Sequence, residues 1–181
     1  MENFYIKRIQ DVKKNLKELK EKLNVKVTIQ KNQLTIEGGT IEEFDASRVF
    51  EAIAFGFSVK KALPLKDEDY QFRTVHIKDH TRRNLADIKS RLIGKKGKTR
   101  RVFADTSGCE ILITETEVGI IGLVEDVENA ETAIIHLIKG SKQTNMYRFL
   151  EKQNAIKKEN TSFPDLNQVS HSQTVHEKEK K

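Results

Sequence analysis

Eleven residues concentrate the chemistry of this chain. The segment RLIGKKGKTRR, Arg91 to Arg101, holds six basic side chains, and Gly94 and Gly97 bracket Lys95 and Lys96. Ammonium and guanidinium groups do no acid–base work near neutral pH; they grip anions through charge-assisted hydrogen bonds. Glycine permits backbone angles closed to other residues and lets a second backbone approach without a Cβ in the way. A helix starting just after Gly97 would add main-chain N–H groups at the positive end of its dipole. The pattern predicts a phosphate-gripping turn, with Lys95 and Lys96 at its tip and Arg91, Lys98, Arg100 and Arg101 flanking it.

Other chemistries fit less well. Gly97-Lys98-Thr99 reads as the end of a nucleotide-binding P-loop, but that motif needs a glycine five residues before Gly97, where Leu92 stands, and a strand before the loop where a helix is expected. His76, His80, His136, His171 and His176 have no ligand spacing with carboxylates or cysteines, and no Ser/His/Asp arrangement is supported. Cys109 is the only cysteine, which excludes a disulfide framework and suits a small core residue opening a strand. Catalysis, metal ligation and a cofactor are therefore not expected.

The charge distribution sharpens the reading. The 181 residues carry a formal net charge of +6, with 36% hydrophobic and 33% charged side chains. Residues 73–101 alone hold 11 basic and 2 acidic groups, while residues 102–152 hold 4 basic and 9 acidic. A solvated helix face usually mixes signs; this window does not, and an anionic partner follows. No apolar run approaches membrane-spanning length, and the N-terminal MENFYIKRIQ has no signal core, so the expectation is a cytoplasmic protein with no membrane partner.

The elements that must position the loop come in two rounds. Phe4 to Lys7 reads as a strand, and Val12, Leu16, Leu19 and Leu23 predict a helix over Asp11–Leu23. Alternation predicts strands at Val25–Ile29 and from Leu34. Thr40 and Glu43 form a capping-box pattern ahead of a helix burying Phe44, Val49, Ile53 and Phe57. Pro64 and Asp67-Glu68-Asp69 read as a linker. The second round has a strand over Phe72–Ile77 and a helix over Leu85–Ile93, then the glycine loop. A second helix follows over Thr99–Ser107, carrying Val102, Phe103 and Thr106 and closed by Gly108. Strands at Cys109–Thr114 and Val118–Gly122 and a long helix over Val124–Lys139 complete it. The order β-α-α-β-β-α, repeated with its first helix short or missing in the first round, implies an internal duplication.

Two helices joined by G-x-x-G is the layout of a KH domain, in which single-stranded bases lie in a groove beside the loop. Ile93, Ile111 and Ile113 are candidates for its apolar floor. The expectation is an α+β fold of two type I KH domains: residues 1–69 degenerate and without the glycine loop, residues 70–153 with it, and a tail over 154–181 expected to be disordered from its polar composition. Where the first loop should stand the chain reads Gln10-Asp11-Val12-Lys13.

The stretch IKSRLIGKKGKTRRVFADTSGCEILI resembles the second KH domain of the two-KH ribosome-assembly family called "partner of Nob" in eukaryotes. Gly140–Lys152, GSKQTNMYRFLEK, is similar to that family's C-terminal signature helix, and Ala52–Leu63 to the segment closing its first KH domain. The resemblance spans about residues 4–152 and points to an archaeal member. It implies a non-enzymatic factor that binds single-stranded rRNA near the 3′ end of 16S rRNA during small-subunit assembly. The implied partners are the endonuclease trimming that end and the α subunit of initiation factor two. Two alternatives stand beside it: another KH role in RNA decay or transcription, and a protein–protein adaptor linked to translation initiation.

Overall fold

Leu34 and Ile36 alternate with polar neighbours and are both fully buried, as a strand covered on one face requires. They sit at the centre of the first of two three-stranded antiparallel sheets in the computed structural model, which describes residues 2–161. This sheet runs β1 (Glu2–Tyr5), β3 (Gln33–Glu37), β2 (Lys26–Gln30) in space, with Phe4 opposite Leu34 and Val27 opposite Ile36. One face carries α1 (Ile9–Lys14), α2 (Leu16–Leu23) and α3 (Thr40–Phe55).

The helix expected over Asp11–Leu23 is thus two helices meeting at Asn15. Its side-chain amide donates to the Asp11 carbonyl at 2.7 Å and to Asp11 Oδ1 at 3.3 Å, a local bond that competes with helix continuation. Val12, Leu19 and Leu23 are buried on both sides of the break, so the apolar spacing runs through it unmarked. The first round therefore keeps both helices, and Asn15, not Gln10–Lys13, occupies the junction. Two further expectations change. The helix cap at α3 is Gly39, with Glu43 Oε1 accepting from Gly38 N–H at 2.9 Å, and Phe44 faces solvent at 65% exposure while Ala46, Val49, Phe50 and Ile53 are buried.

The stretch around Pro64 is no linker. Val59 and Ala62 of α4 (Val59–Ala62) and Leu65 of the following 3₁₀ turn (Leu63–Lys66) are fully buried in the first core. Asp11 Oδ2 accepts from Val59 N–H at 3.1 Å and pins this segment to α1.

The second round repeats the topology. Its sheet runs β4 (Tyr70–His76), β6 (Glu117–Leu123), β5 (Glu110–Ile113), all antiparallel. Behind it lie α6 (Leu85–Ile93), α7 (Lys98–Ser107) and α8 (Val124–Lys139), with α5 (Ile77–His80) after β4 and α9 (Gln143–Thr161) at the end. Both sheets place the third strand between the first and second, the arrangement of a duplicated type I KH fold.

Strand β6 is buried along both faces, so its sequence reads as an apolar run instead of an alternation. Val118 and Ile120 face the helices of their own domain, while Ile121 joins the first core. Phe55, Phe57 and Phe72 cluster there with ring centroids 5.5 to 6.0 Å apart. Arg48 bonds the Tyr70 carbonyl and Lys61 pairs with Glu110 across the same boundary. Helix α9 runs past the boundary expected at residue 153. The remainder of the expected tail, residues 162–181, lies outside the described residues.

Candidate nucleic-acid interface

Helix α6 ends because Gly94 takes φ 71°, its N–H still bonded to the Ser90 carbonyl at 2.8 Å. A Cβ at Gly94 would lie 2.0 Å from Thr99 Oγ1 and 2.9 Å from Thr99 N, so only glycine lets the two helices close this tightly. Lys96 follows at φ 53°, ψ 30°, a left-handed conformation that a lysine adopts at a cost and that surrounding structure must hold. Gly97 at φ 74° then caps α7, and its N–H bonds the Gly94 carbonyl at 3.1 Å. A Cβ at Gly97 would meet nothing within 4 Å. The first glycine is needed for packing and the second faces open space where a ligand backbone can come close.

Beyond the turn, α7 opens with no acidic residue in its first turn and no side-chain cap, so no side chain answers its N-terminal N–H groups. Lys95, Lys96, Lys98, Arg100 and Arg101 are exposed, and among the described residues no hydrogen bond or ion pair engages their charged groups. This is the arrangement of an anion cradle: dipole, N–H groups and five unanswered cations around two glycines.

Arg91, expected beside them, points elsewhere. Its guanidinium bonds the Gly140 carbonyl at 3.1 Å and the Ser141 carbonyl, fastening α6 to the α8–α9 turn. Gln143 returns a bond to the Arg91 carbonyl at 3.3 Å. Other cations of the basic window are also neutralised: Arg73 pairs with Glu131 and Lys89 with Glu115.

A narrow apolar crevice opens beside the loop, between α7, β5 and α8. Ile111 and Ile113 line it, with Leu92, Thr99 and Phe103, and Arg100 stands at its rim. Ile111 is 8% exposed, so Ile113 supplies more of the accessible apolar surface. Ile93 is half-buried at the end of α6 and does not line the crevice; Leu92 does. On the buried face of α7 stands Phe103, as its apolar character suggests, but Thr99 and Ser107 fill the rest of it where Val102 and Thr106 were expected. The four-residue spacing of Thr99, Phe103 and Ser107 is visible in the sequence, but two hydroxyl residues do not announce a core.

Helix α9 backs the site. Met146 and Leu150 are 2% exposed in the second core. Asn154 Nδ2 donates to the Thr106 carbonyl at 2.7 Å, and Lys157 Nζ pairs with Asp126 at 2.9 and 3.0 Å. Cys109 is buried, and that burial pushes its thiol up to about 12, which leaves it inert and structural.

Residues 71–155 match the family of the second KH domain of PNO1, a eukaryotic-type KH domain (KH-domain type I). Over residues 71–155 the chain carries a KH domain of the PNO1 type. It is 31% identical over 145 residues to a KH domain-containing protein of Methanocaldococcus jannaschii, covering 76% of this chain and 64% of that one. It is 28% identical over 142 residues to the pre-rRNA-processing protein pno1 of Aspergillus fumigatus, covering 74% of this chain and 56% of that one. The chain thus spans less than two thirds of these curated relatives. Among solved structures it resembles a chain in the a/eIF2alpha–aDim2p–rRNA complex of Pyrococcus horikoshii OT3, with a TM-score of 0.76 and 27% identity over 86% of this chain and 94% of that one. The expectation of an α+β fold of KH type is therefore met, with residues 71–155 as its type I KH domain. No described helix is long and apolar enough to cross a membrane.

Proposed function

We propose that this chain is an RNA-binding assembly factor of the small ribosomal subunit, holding single-stranded rRNA near the 3′ end of 16S rRNA or its precursor. The observation that carries the reading is the α6–α7 turn: five cations without partners among the described residues, set around Gly94 and Gly97 at the open N-terminus of a ten-residue helix. Phosphates sit at the turn, and bases reach toward the crevice at Ile113 with Arg100 at its rim. Relatives named as pre-rRNA-processing and RNA-binding proteins, and a structural neighbour solved with rRNA, support this choice among KH functions. The proposed role is RNA binding.

The first domain, residues 1–69, is proposed to act as a KH scaffold without RNA grip. Its helix junction is closed by Asn15, and Asp11 is engaged with Asn15 and α4. The rRNA-trimming endonuclease and the α subunit of initiation factor two are proposed protein partners. Ile41 and Phe44, 74% and 65% exposed near the start of α3, offer apolar anchors to one of them. The cytoplasm is the proposed location.

Titration with a labelled single-stranded RNA from the 16S 3′ end tests the reading. Lys95→Asp with Lys96→Asp should weaken binding by about 100-fold at moderate salt, because it removes two charge-assisted hydrogen bonds to phosphate at ~1.5 kcal/mol each. The salt dependence should flatten by roughly 1.4 in slope, about 0.7 per phosphate neutralised on a single strand. Wild-type affinity in that variant overturns the phosphate grip, and an intact protein with no salt-dependent RNA binding at all would be an adaptor.

A further inference from the structure

The basic window of residues 73–101 does not fold into one patch. Once Arg73, Lys89 and Arg91 are set aside as engaged, the remaining cations fall at the two ends of α6. One group is the loop. The other is Lys78 on α5 with Arg82 and Arg83 between α5 and α6, where they border an open depression of about 660 Å³ with Asp79, His80 and Thr81. Lys78 Nζ touches only the Arg83 carbonyl, at 3.4 Å, and among the described residues no hydrogen bond or ion pair engages the guanidinium groups of Arg82 and Arg83.

A third segment meets them there. The Arg83 guanidinium lies 3.2 to 3.6 Å from where a Cβ on Gly140 would stand, so it rests against the α8–α9 turn. Lys139 and Lys142 flank that turn, exposed and without ion-pair partners among the described residues. Five cations therefore border two chain segments that the Arg83–Gly140 contact brings together, with the acids Asp79 in the depression and Asp87 in the first turn of α6 among them. The depression has no apolar side chain in its lining and is wide and shallow, a shape suited to a phosphate backbone and not to a small apolar ligand.

We propose that Lys78, Arg82 and Arg83, with Lys139 and Lys142, form a second phosphate-binding surface that carries the bound RNA strand beyond the glycine loop. This rests on the reading of the loop as an RNA site. The nine residues of α6 separate the cations at its two ends by about 13 Å at 1.5 Å per residue, roughly four phosphates at the 3.4 Å per-strand rise of a stacked duplex. A single strand lying along α6 reaches both, while an RNA of only four nucleotides reaches one.

Two RNAs decide the matter, one of about four nucleotides and one of about twelve, each labelled and titrated at fixed salt into the full chain. The variant Arg82→Glu with Arg83→Glu should bind the short RNA like wild type. It should bind the long one about tenfold or more weakly, with a salt slope lower by about 1.4 once two phosphates are no longer neutralised. Lys139→Glu with Lys142→Glu, which removes no packing, should show the same long-RNA defect and guards against a folding artefact. Unchanged long-RNA affinity in both variants overturns the second surface, as would an equal defect on the short RNA. If the variants Lys95→Asp and Lys96→Asp bind both RNAs normally, the loop reading has failed, a result the surface variants do not mimic.

Discussion

At the scale of single residues, the two loop glycines look alike in sequence and differ in the fold. Gly94 packs its α-carbon against Thr99, whose side chain is 4% exposed. Gly94→Ala should therefore destabilise the protein by about 2–4 kcal/mol, combining a steric clash with an unfavourable positive φ. Gly97→Ala meets no atom within 4 Å and should cost only about 1–2 kcal/mol for its conformation, yet weaken RNA binding because a Cβ then stands where the phosphate approaches. Thermal melts paired with RNA titrations separate the two, and equal stability losses would refute this division. Cys109 gives a second residue-scale prediction. Burial raises its thiol from 9.0 to about 12, so between those values the unfolded chain loses a proton that the folded chain keeps. Stability should be unaffected by this group below pH 9 and should fall as pH rises from 9 toward 12. Cys109→Ala should flatten that alkaline loss in melts taken across the range. In the native protein at about pH 8, below the ordinary thiol range, the thiol should resist alkylation until denaturant is added.

At the scale of elements, much of the second domain was legible because local signals agreed. Gly108 at φ 69° closes α7 as its position suggested, and Val127, Ala130, Ile134, Leu137 and Ile138 face inward from α8 as their spacing demanded. What escaped had long-range causes. Glu131 neutralises Arg73 from 58 residues away and Glu115 answers Lys89 from 26, so the charge window overstated the free charge on the surface. Pro64 marked a break in helix geometry, but Leu65 beside it is fully buried by a core that no local pattern reveals. Helix α9 stood out only by its resemblance to a family signature, and its docking explains why it belongs to the domain. Met146 and Leu150 fill the second core while Asn154 and Lys157 tie α9 to α7 and to Asp126 of α8. Met146→Ala with Leu150→Ala should cost about 4–8 kcal/mol if each cavity costs about 2–4, enough to threaten folding at ordinary temperature. A denaturant midpoint close to wild type would mean that α9 sits on the domain without holding it.

At the scale of the whole molecule, the second sheet packs against different partners on its two faces. Ile111, Val118 and Ile120 face the helices that flank the glycine loop, whereas Leu112 and Ile121 pack on the first core. Gly119 is the tightest point of that boundary: a Cβ there would lie 2.5 Å from the Phe55 ring and 2.8 Å from the Phe57 ring. Its backbone has no positive φ, so an alanine would suffer only from packing. Gly119→Ala should then cost about 1–3 kcal/mol through forced movement of the two rings, lowering the melting temperature by about 2–4 °C per kcal/mol for a chain of this size. RNA affinity at a temperature where the variant stays folded should remain within about twofold of wild type, because the loop lies on the other side of the sheet and additivity holds for sites that share no partners. The pair Lys95→Asp and Lys96→Asp should do the reverse, losing RNA and keeping the melt. Measuring both properties on both variants is the decisive comparison. If Gly119→Ala loses RNA binding in step with stability, the first domain is coupled to the RNA surface through the shared sheet, and its role extends beyond that of a scaffold.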